Sequence, residues 1–137
     1  MKIHTVMSSD VVVLEQDQNI RNAAELMRSR DIGSIPVSAS EKLVGMITDR
    51  DIVLRAVAEG LSQETPLSQV MSQGVKYCYA EDEVDDVARN MAELGVRRLP
   101  VIDADKKLVG IVSLSNIAQA GDSQATENLL EGTAQPH

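Results

Sequence analysis

Two side chains with complementary chemistry stand three positions apart in Gly45-Met46-Ile47-Thr48-Asp49-Arg50-Asp51. An apolar run, Leu43 to Ile47, leads into them, and an amphipathic run follows from Ile52. Thr48 can cap a helix that starts behind it and still offer its hydroxyl. The N–H groups of a first helical turn attract anions. Asp51 can accept two hydrogen bonds from a vicinal diol such as a ribose. A hydroxyl for phosphate and a carboxylate for ribose suggest a nucleotide. A plain capping box accounts for the same pattern.

The chain states the pattern twice. Gly110-Ile111-Val112-Ser113-Leu114-Ser115-Asn116 is a second copy, with Ser113 and Asn116 in place of Thr48 and Asp51. Val6-Met7-Ser8 returns as Val70-Met71-Ser72, 64 positions on. At the same offset Ile20, Ala24 and Met27 return as Val84, Ala88 and Met91, and Ile35-Pro36-Val37 returns as Leu99-Pro100-Val101. From Leu43 the offset is 65, because Ala39-Ser40-Glu41-Lys42 faces the longer Asp103-Ala104-Asp105-Lys106-Lys107. An added residue in a turn marks a structural repeat.

The elements that must position these motifs read as strand, helix, strand, strand, helix in each copy. A lead-in turn carries Ile3, Val6 and Met7. A buried strand spans Val11 to Leu14. Asp17 or Asn19 caps a helix with Ile20, Ala23, Ala24 and Met27 on its inner face, and Gly33 ends it. Strands follow at Ile35 to Ser38, where Pro36 marks a start or an edge, and at Leu43 to Ile47. A helix from Asp49 to Glu59 places Ile52, Val53, Ala56 and Val57 inward, and Gly60 stops it. In the second copy the strand is Lys76 to Ala80. The helix is Glu83 to Leu94, ended by Gly95. Strands at Leu99 to Ile102 and Leu108 to Val112 precede a helix from Ser115. Residues 1–60 form the first copy, 61–69 a polar linker, 70–120 the second copy and 121–137 a polar tail, with room for a short helix around Glu127 to Leu130. One copy is too small to cover both faces of its sheet. Two copies stacked about a pseudo-twofold axis are the expected solution.

Composition limits the function. The chain has 137 residues, 43% hydrophobic, with no Trp or Phe, so the core must be aliphatic. A net charge of -8 argues against a nucleic-acid partner. No apolar run approaches the roughly 18–20 residues of a membrane span, and no signal peptide is visible. The single cysteine, Cys78, fits a reducing, cytoplasmic setting. The only histidines, His4 and His137, lie near the ends, and no nucleophile-base pair or metal-ligand cluster can be assembled. An enzyme is therefore not expected.

Together, the Val-Met lead-ins, the Ile/Leu-Pro-Val strands and the Gly-x-x-Thr/Ser-x-x-Asp/Asn ends resemble the tandem cystathionine-β-synthase (CBS) domain pair, or Bateman module. Gly95-Val96-Arg97-Arg98-Leu99-Pro100-Val101-Ile102-Asp103 is similar to the same pattern. The resemblance covers about residues 1–120. It implies an α/β (α+β) fold of two β-α-β-β-α repeats and a regulatory sensor of AMP, ADP, ATP, NAD or S-adenosylmethionine, held between the repeats. It further implies that Thr48 and Ser113 meet phosphate, that Asp51 and Asn116 meet ribose, and that Ile35, Pro36, Leu99 and Pro100 border adenine. Arg97 and Arg98 match positions used for phosphates in one member of the family, the γ subunit of AMP-activated protein kinase, while the first copy has Gly33 and Ser34 there. Asn116 departs from the acidic pattern. A homodimer and an unidentified regulated protein are the implied partners.

Each residue also has a plainer reading. Thr48 with Asp51, and Ser113 with Asn116, can be caps alone. Arg97 and Arg98 can be a solvated basic pair, although strand alternation puts one of them inward. Arg50 and Arg55 can assist a phosphate or sit on a helix surface. Tyr77 and Tyr79 can border adenine or simply pack. Glu81, Asp82, Glu83, Asp85 and Asp86 read as a solvated helix start. The arginines favour AMP or ATP, with Mg²⁺ as an optional companion, over NAD or S-adenosylmethionine. The alternative is a protein-interaction module whose clefts hold nothing.

Overall fold

A computed structural model describes residues 1–121; the expected polar tail and the helix around Glu127 to Leu130 lie outside the described residues. The chain forms two compact units, Val12–Val75 and Met1–Val11 with the chain from Lys76 onward. Each contains a three-stranded sheet, in a mixed α/β arrangement.

In the Val12–Val75 unit the elements are β1 (Leu14–Glu15), α1 (Ile20–Arg30), β2 (Ser34–Ala39), β3 (Lys42–Thr48) and α2 (Asp49–Asp51). A π-helical run, Ile52–Val57, continues α2. β2 is central, parallel to β1 and antiparallel to β3. Asn19 caps α1, its side chain accepting from the Asn22 N–H at 2.9 Å. The left-handed residue that ends α1 is Asp31, at φ 54°, and not the expected Gly33. β1 is shorter and later than the expected Val11 to Leu14 run. Val13 is exposed there. Pro36 lies within the central strand, yet β1 reaches only Val37 and Ser38. The flank of Pro36 without an N–H is thus locally an edge, which is where proline is tolerated.

The second unit repeats this order with β4 (Cys78–Tyr79), α3 (Val84–Leu94), β5 (Arg98–Ile102), β6 (Leu108–Ser113) and α4 (Leu114–Gln119). β4 is again shorter than the expected Lys76 to Ala80. Gly95 ends α3 in the left-handed conformation, φ 67°. The added residue is absorbed in the second hairpin turn, where Asp103 Oδ1 accepts from the N–H groups of Asp105 and Lys107. Both hairpins carry a register shift at the matching place, Val37/Ser38 and Val101/Ile102.

The cores show that the lead-ins are exchanged between copies. Ile3, from the first lead-in, is buried with Val84, Met91, Leu99, Val112 and Ile117 of the second copy. Leu67, Val70 and Met71, from the second lead-in, are buried with Ile20, Met27, Ile35 and Ile47 of the first. Each lead-in is a short 3-10 turn, Ile3–Thr5 or Leu67–Gln69. The repeated spacing of Val-Met-Ser and Gly has a steric cause. Ser72 pairs with Met46 through two backbone bonds, 2.8 and 3.0 Å, and Ser8 pairs with Ile111 through two, 2.8 and 2.9 Å. A Cβ on Gly45 would lie 2.6 Å from Met71 Sδ, and one on Gly110 would lie 2.5 Å from Met7 Sδ. Only glycine admits the methionine so close.

Candidate functional site

Thr48 is the last residue of β3 and the N-cap of α2. Its Oγ1 accepts from the Asp51 N–H at 3.0 Å, and Asp51 Oδ2 accepts from the Thr48 N–H at 3.0 Å. This capping box forms because Thr48 keeps extended dihedrals while the next three residues turn helical. Asp51 is only 8% exposed. Both of its oxygens also accept from the Ser72 hydroxyl, at 3.3 Å each, and Arg55 Nε lies 3.8 Å from Oδ1.

The second copy reproduces the box without the charge. Ser113 Oγ accepts from the Asn116 N–H at 3.2 Å, and Asn116 Oδ1 accepts from the Ser113 N–H at 2.9 Å and the Ser113 hydroxyl at 2.8 Å. Each motif is also placed identically against the neighbouring strand. Ser34 pairs with Thr48, and Arg98 pairs with Ser113. The Gly33 carbonyl accepts from the Asp49 N–H, and the Arg97 carbonyl accepts from the Leu114 N–H. The cap, its acceptor and the residues before the Ile/Leu-Pro strand are therefore brought together in both units.

The charges are distributed unequally. Arg97 and Arg98 are both exposed, so neither faces the core; Arg97 precedes β5 and escapes the alternation expected of strand neighbours. In the first unit the space above Gly33 is filled by an acid instead, since a Cβ there would lie 3.1 Å from Asp49 Oδ2. Arg50 is exposed. Arg55 is not a free phosphate partner, for its Nη1 donates to the carbonyls of Val70 and Met71 at 3.4 Å. A depression of about 320 Å³ beside α2 is lined by Asp49, Arg50, Val53 and Leu54.

Ile35 and Leu99 are 0% and 1% exposed and belong to the two cores, and Pro36 and Pro100 are buried as well. Tyr77 and Tyr79 are exposed and meet edge to face, with centroids 5.7 Å apart. Burial, with a smaller contribution from Asp82, pushes the Cys78 thiol up to about 12, so it stays protonated and unreactive at neutral pH. His4 Nε2 lies 3.7 Å from Glu81. Among the described residues no group of three His, Cys, Asp or Glu side chains could hold a metal ion, and no helix is long and apolar enough to cross a membrane.

The acidic run is more than a solvated helix start. Glu83 takes Lys2 Nζ at 2.9 Å and the Met1 amine at 3.0 Å. The Asp82 carbonyl accepts from the Ile3 N–H, and Asp82 Oδ2 from the Tyr79 N–H at 2.9 Å. It is the edge on which the first lead-in docks. Sequence reasoning also missed Ser72, whose only signal was its place in the repeated Val-Met-Ser.

The family model for the CBS domain matches residues 3–57 and 67–123. CBS domain-containing protein YhcV of Bacillus subtilis is 39% identical over 116 residues, 85% of this chain and 82% of its own. The solved structure of Hypoxic Response Protein I, with two coordinated zinc ions, matches with a TM-score of 0.74 at 33% identity, over 87% of this chain and 98% of that one. The CBS domain pair of protein MJ0100, solved with methylthioadenosine and S-adenosylmethionine, matches with a TM-score of 0.70 at 25% identity, over 88% and 95%.

Proposed function

The chain belongs to the CBS-domain family, and from that premise we propose that it is a non-catalytic regulatory module that binds an adenine nucleotide and signals to a partner protein. The observation that carries this reading is the duplicated motif. A hydroxyl ends the third strand of each unit, and an amide or carboxylate acceptor follows three residues on in the same capping geometry. Thr48 and Ser113 supply hydroxyls for phosphate, and Asp51 and Asn116 supply acceptors for ribose. Among the described residues the Arg97 and Arg98 side chains make no hydrogen bond or ion pair, and Arg98 pairs with Ser113 across the hairpin, which favours AMP or ATP for the second copy. Ile35, Pro36, Leu99 and Pro100 are buried, so they contribute to an adenine slot through backbone and strand position. The adenosine ligands of the MJ0100 pair support the adenosine part of this assignment. We further place the protein in the cytoplasm as a homodimer, measurable by sedimentation.

A second reading, an interaction module that binds no nucleotide, is favoured by one observation: both capping boxes are satisfied internally. Thermal unfolding against AMP, ADP, ATP with and without Mg²⁺, NAD, S-adenosylmethionine and adenosine separates the two. A ligand at 100 times its Kd stabilises by about 2.7 kcal/mol. The shift is expected with a phosphorylated member. Asp51→Asn preserves the capping box, as Asn116 does in the second copy, and should weaken ligand binding by about 1–3 kcal/mol if Asp51 meets the ribose. No shift with any compound would favour the interaction module instead.

A further inference from the structure

Among the described residues, Ser72 is the one side chain that addresses both oxygens of the Asp51 carboxylate. Its Oγ lies 3.3 Å from Oδ1 and 3.3 Å from Oδ2. A hydroxyl has one proton, so this is a shared, long contact, weaker than a bond at the usual O–H···O distance of about 2.7–2.8 Å. The equal distances place Ser72 on the side of the carboxylate that lies between its oxygens. A vicinal diol, which brings two O–H donors to two acceptors, needs that same side. Elsewhere the carboxylate is engaged by the Thr48 N–H at 3.0 Å and faced by Arg55 at 3.8 Å. With Asp51 only 8% exposed, a ligand cannot reach it without taking a place already held.

We propose that Ser72 sets the affinity and selectivity of the first-copy site by competing with the ribose diol for the Asp51 carboxylate. This rests on the reading above that the first copy binds an adenine nucleotide through Asp51. The exchange needs little motion. The Ser72 backbone is held separately, its N–H on the Met46 carbonyl at 2.8 Å and its carbonyl on the Met46 N–H at 3.0 Å. The hydroxyl can leave by rotation about one side-chain bond while the lead-in stays paired to β3. A ligand that lacks the diol gains nothing by displacing Ser72. Ser72 therefore lowers the affinity for every diol ligand by the same factor and leaves the others unchanged. The second copy has no such competition built around a charge. Asn116 replaces the acid, its Oδ1 is taken by Ser113 at 2.8 and 2.9 Å, and Ala120 stands where Arg55 stands in the first copy.

The test is calorimetric titration of the full chain with AMP and with 2′,3′-dideoxyadenosine monophosphate. Ser72→Ala should bind AMP about three- to tenfold more tightly than the unmodified protein, the range of one net hydrogen bond. Its affinity for the dideoxy compound should not change. Ser72→Thr, which keeps the hydroxyl, should retain the original ratio of the two affinities. If Ser72→Ala does not fold, Ser72→Cys removes the strong donor in its place. AMP binding that is unchanged or weaker in Ser72→Ala, or an equal gain for both compounds, overturns the competition and leaves the nucleotide reading standing. Failure of both proteins to bind AMP, ADP or ATP overturns the two together.

Discussion

Glu83 and Lys2 fix the first lead-in to the start of α3. Hydrogen bonding to Lys2, then to the Met1 amine, holds the Glu83 carboxyl below its usual range. The same contact raises the Lys2 ammonium. A depressed acid contributes stability above its unfolded pKa, about 4.3, and loses it as pH falls through the folded value. A raised base contributes below its unfolded pKa, about 10.4, and loses it as pH rises through the folded value. The pair thus contributes fully across the neutral range. Comparison of thermal midpoints for the protein and Glu83→Gln should show a difference near pH 7 that shrinks below about pH 4. A difference that persists in acid would assign the effect to packing instead. The acids of this run were visible in sequence, but their role was not. Lys2 and Glu83 are 81 positions apart, and no local pattern links them.

At the scale of elements, the repeated glycine is a contact surface. Gly45 in β3 and Gly110 in β6 receive Met71 and Met7, and the carbonyls of Ser72 and Ser8 lie 3.0 and 2.8 Å from the positions their Cβ atoms would take. Gly110→Ala should destabilise the protein by about 1–3 kcal/mol through overpacking, seen as a lower denaturant midpoint at an unchanged slope. Gly45→Ala should cost somewhat less, because its contact with the carbonyl is looser. A neutral Gly110→Ala would mean that the lead-in shifts freely. The hairpin strands, α1, α3 and both capping boxes were legible because periodicity and capping are local, whereas β1 and β4 are shorter than the runs that announced them. The expected inward face of Ile52, Val53, Ala56 and Val57 was legible only in part. Ala56 is buried and Ile52 packs half-buried against the core, but the run after α2 is π-helical and leaves Val53 and Val57 exposed.

That outward face matters for the whole molecule. Val53, Leu54, Val57 and Leu61 are 56%, 47%, 70% and 41% exposed. Their exposure on one helical run and the turn after it is the observation that supports the homodimer proposed above. Sedimentation should find a dimer for the protein and a monomer for Val57→Lys, with thermal stability of the isolated chain little changed because Val57 is not in the core. A monomer in both cases would overturn the proposal.

The sequence by itself determined the duplication, the order of elements in each copy and the capping residues of the two motifs. These follow from side-chain types at short spacings, which act within a turn or a strand. Only the tertiary structure decided that each lead-in completes the core of the other copy, that Arg97 and Arg98 both face outward, and that Asp51 is engaged by Ser72 and Arg55. The bonds from Ser72 to Asp51 join residues 21 positions apart. Such contacts form because folding brings buried polar atoms to whichever donors the packing leaves within reach, and linear spacing carries no record of that choice.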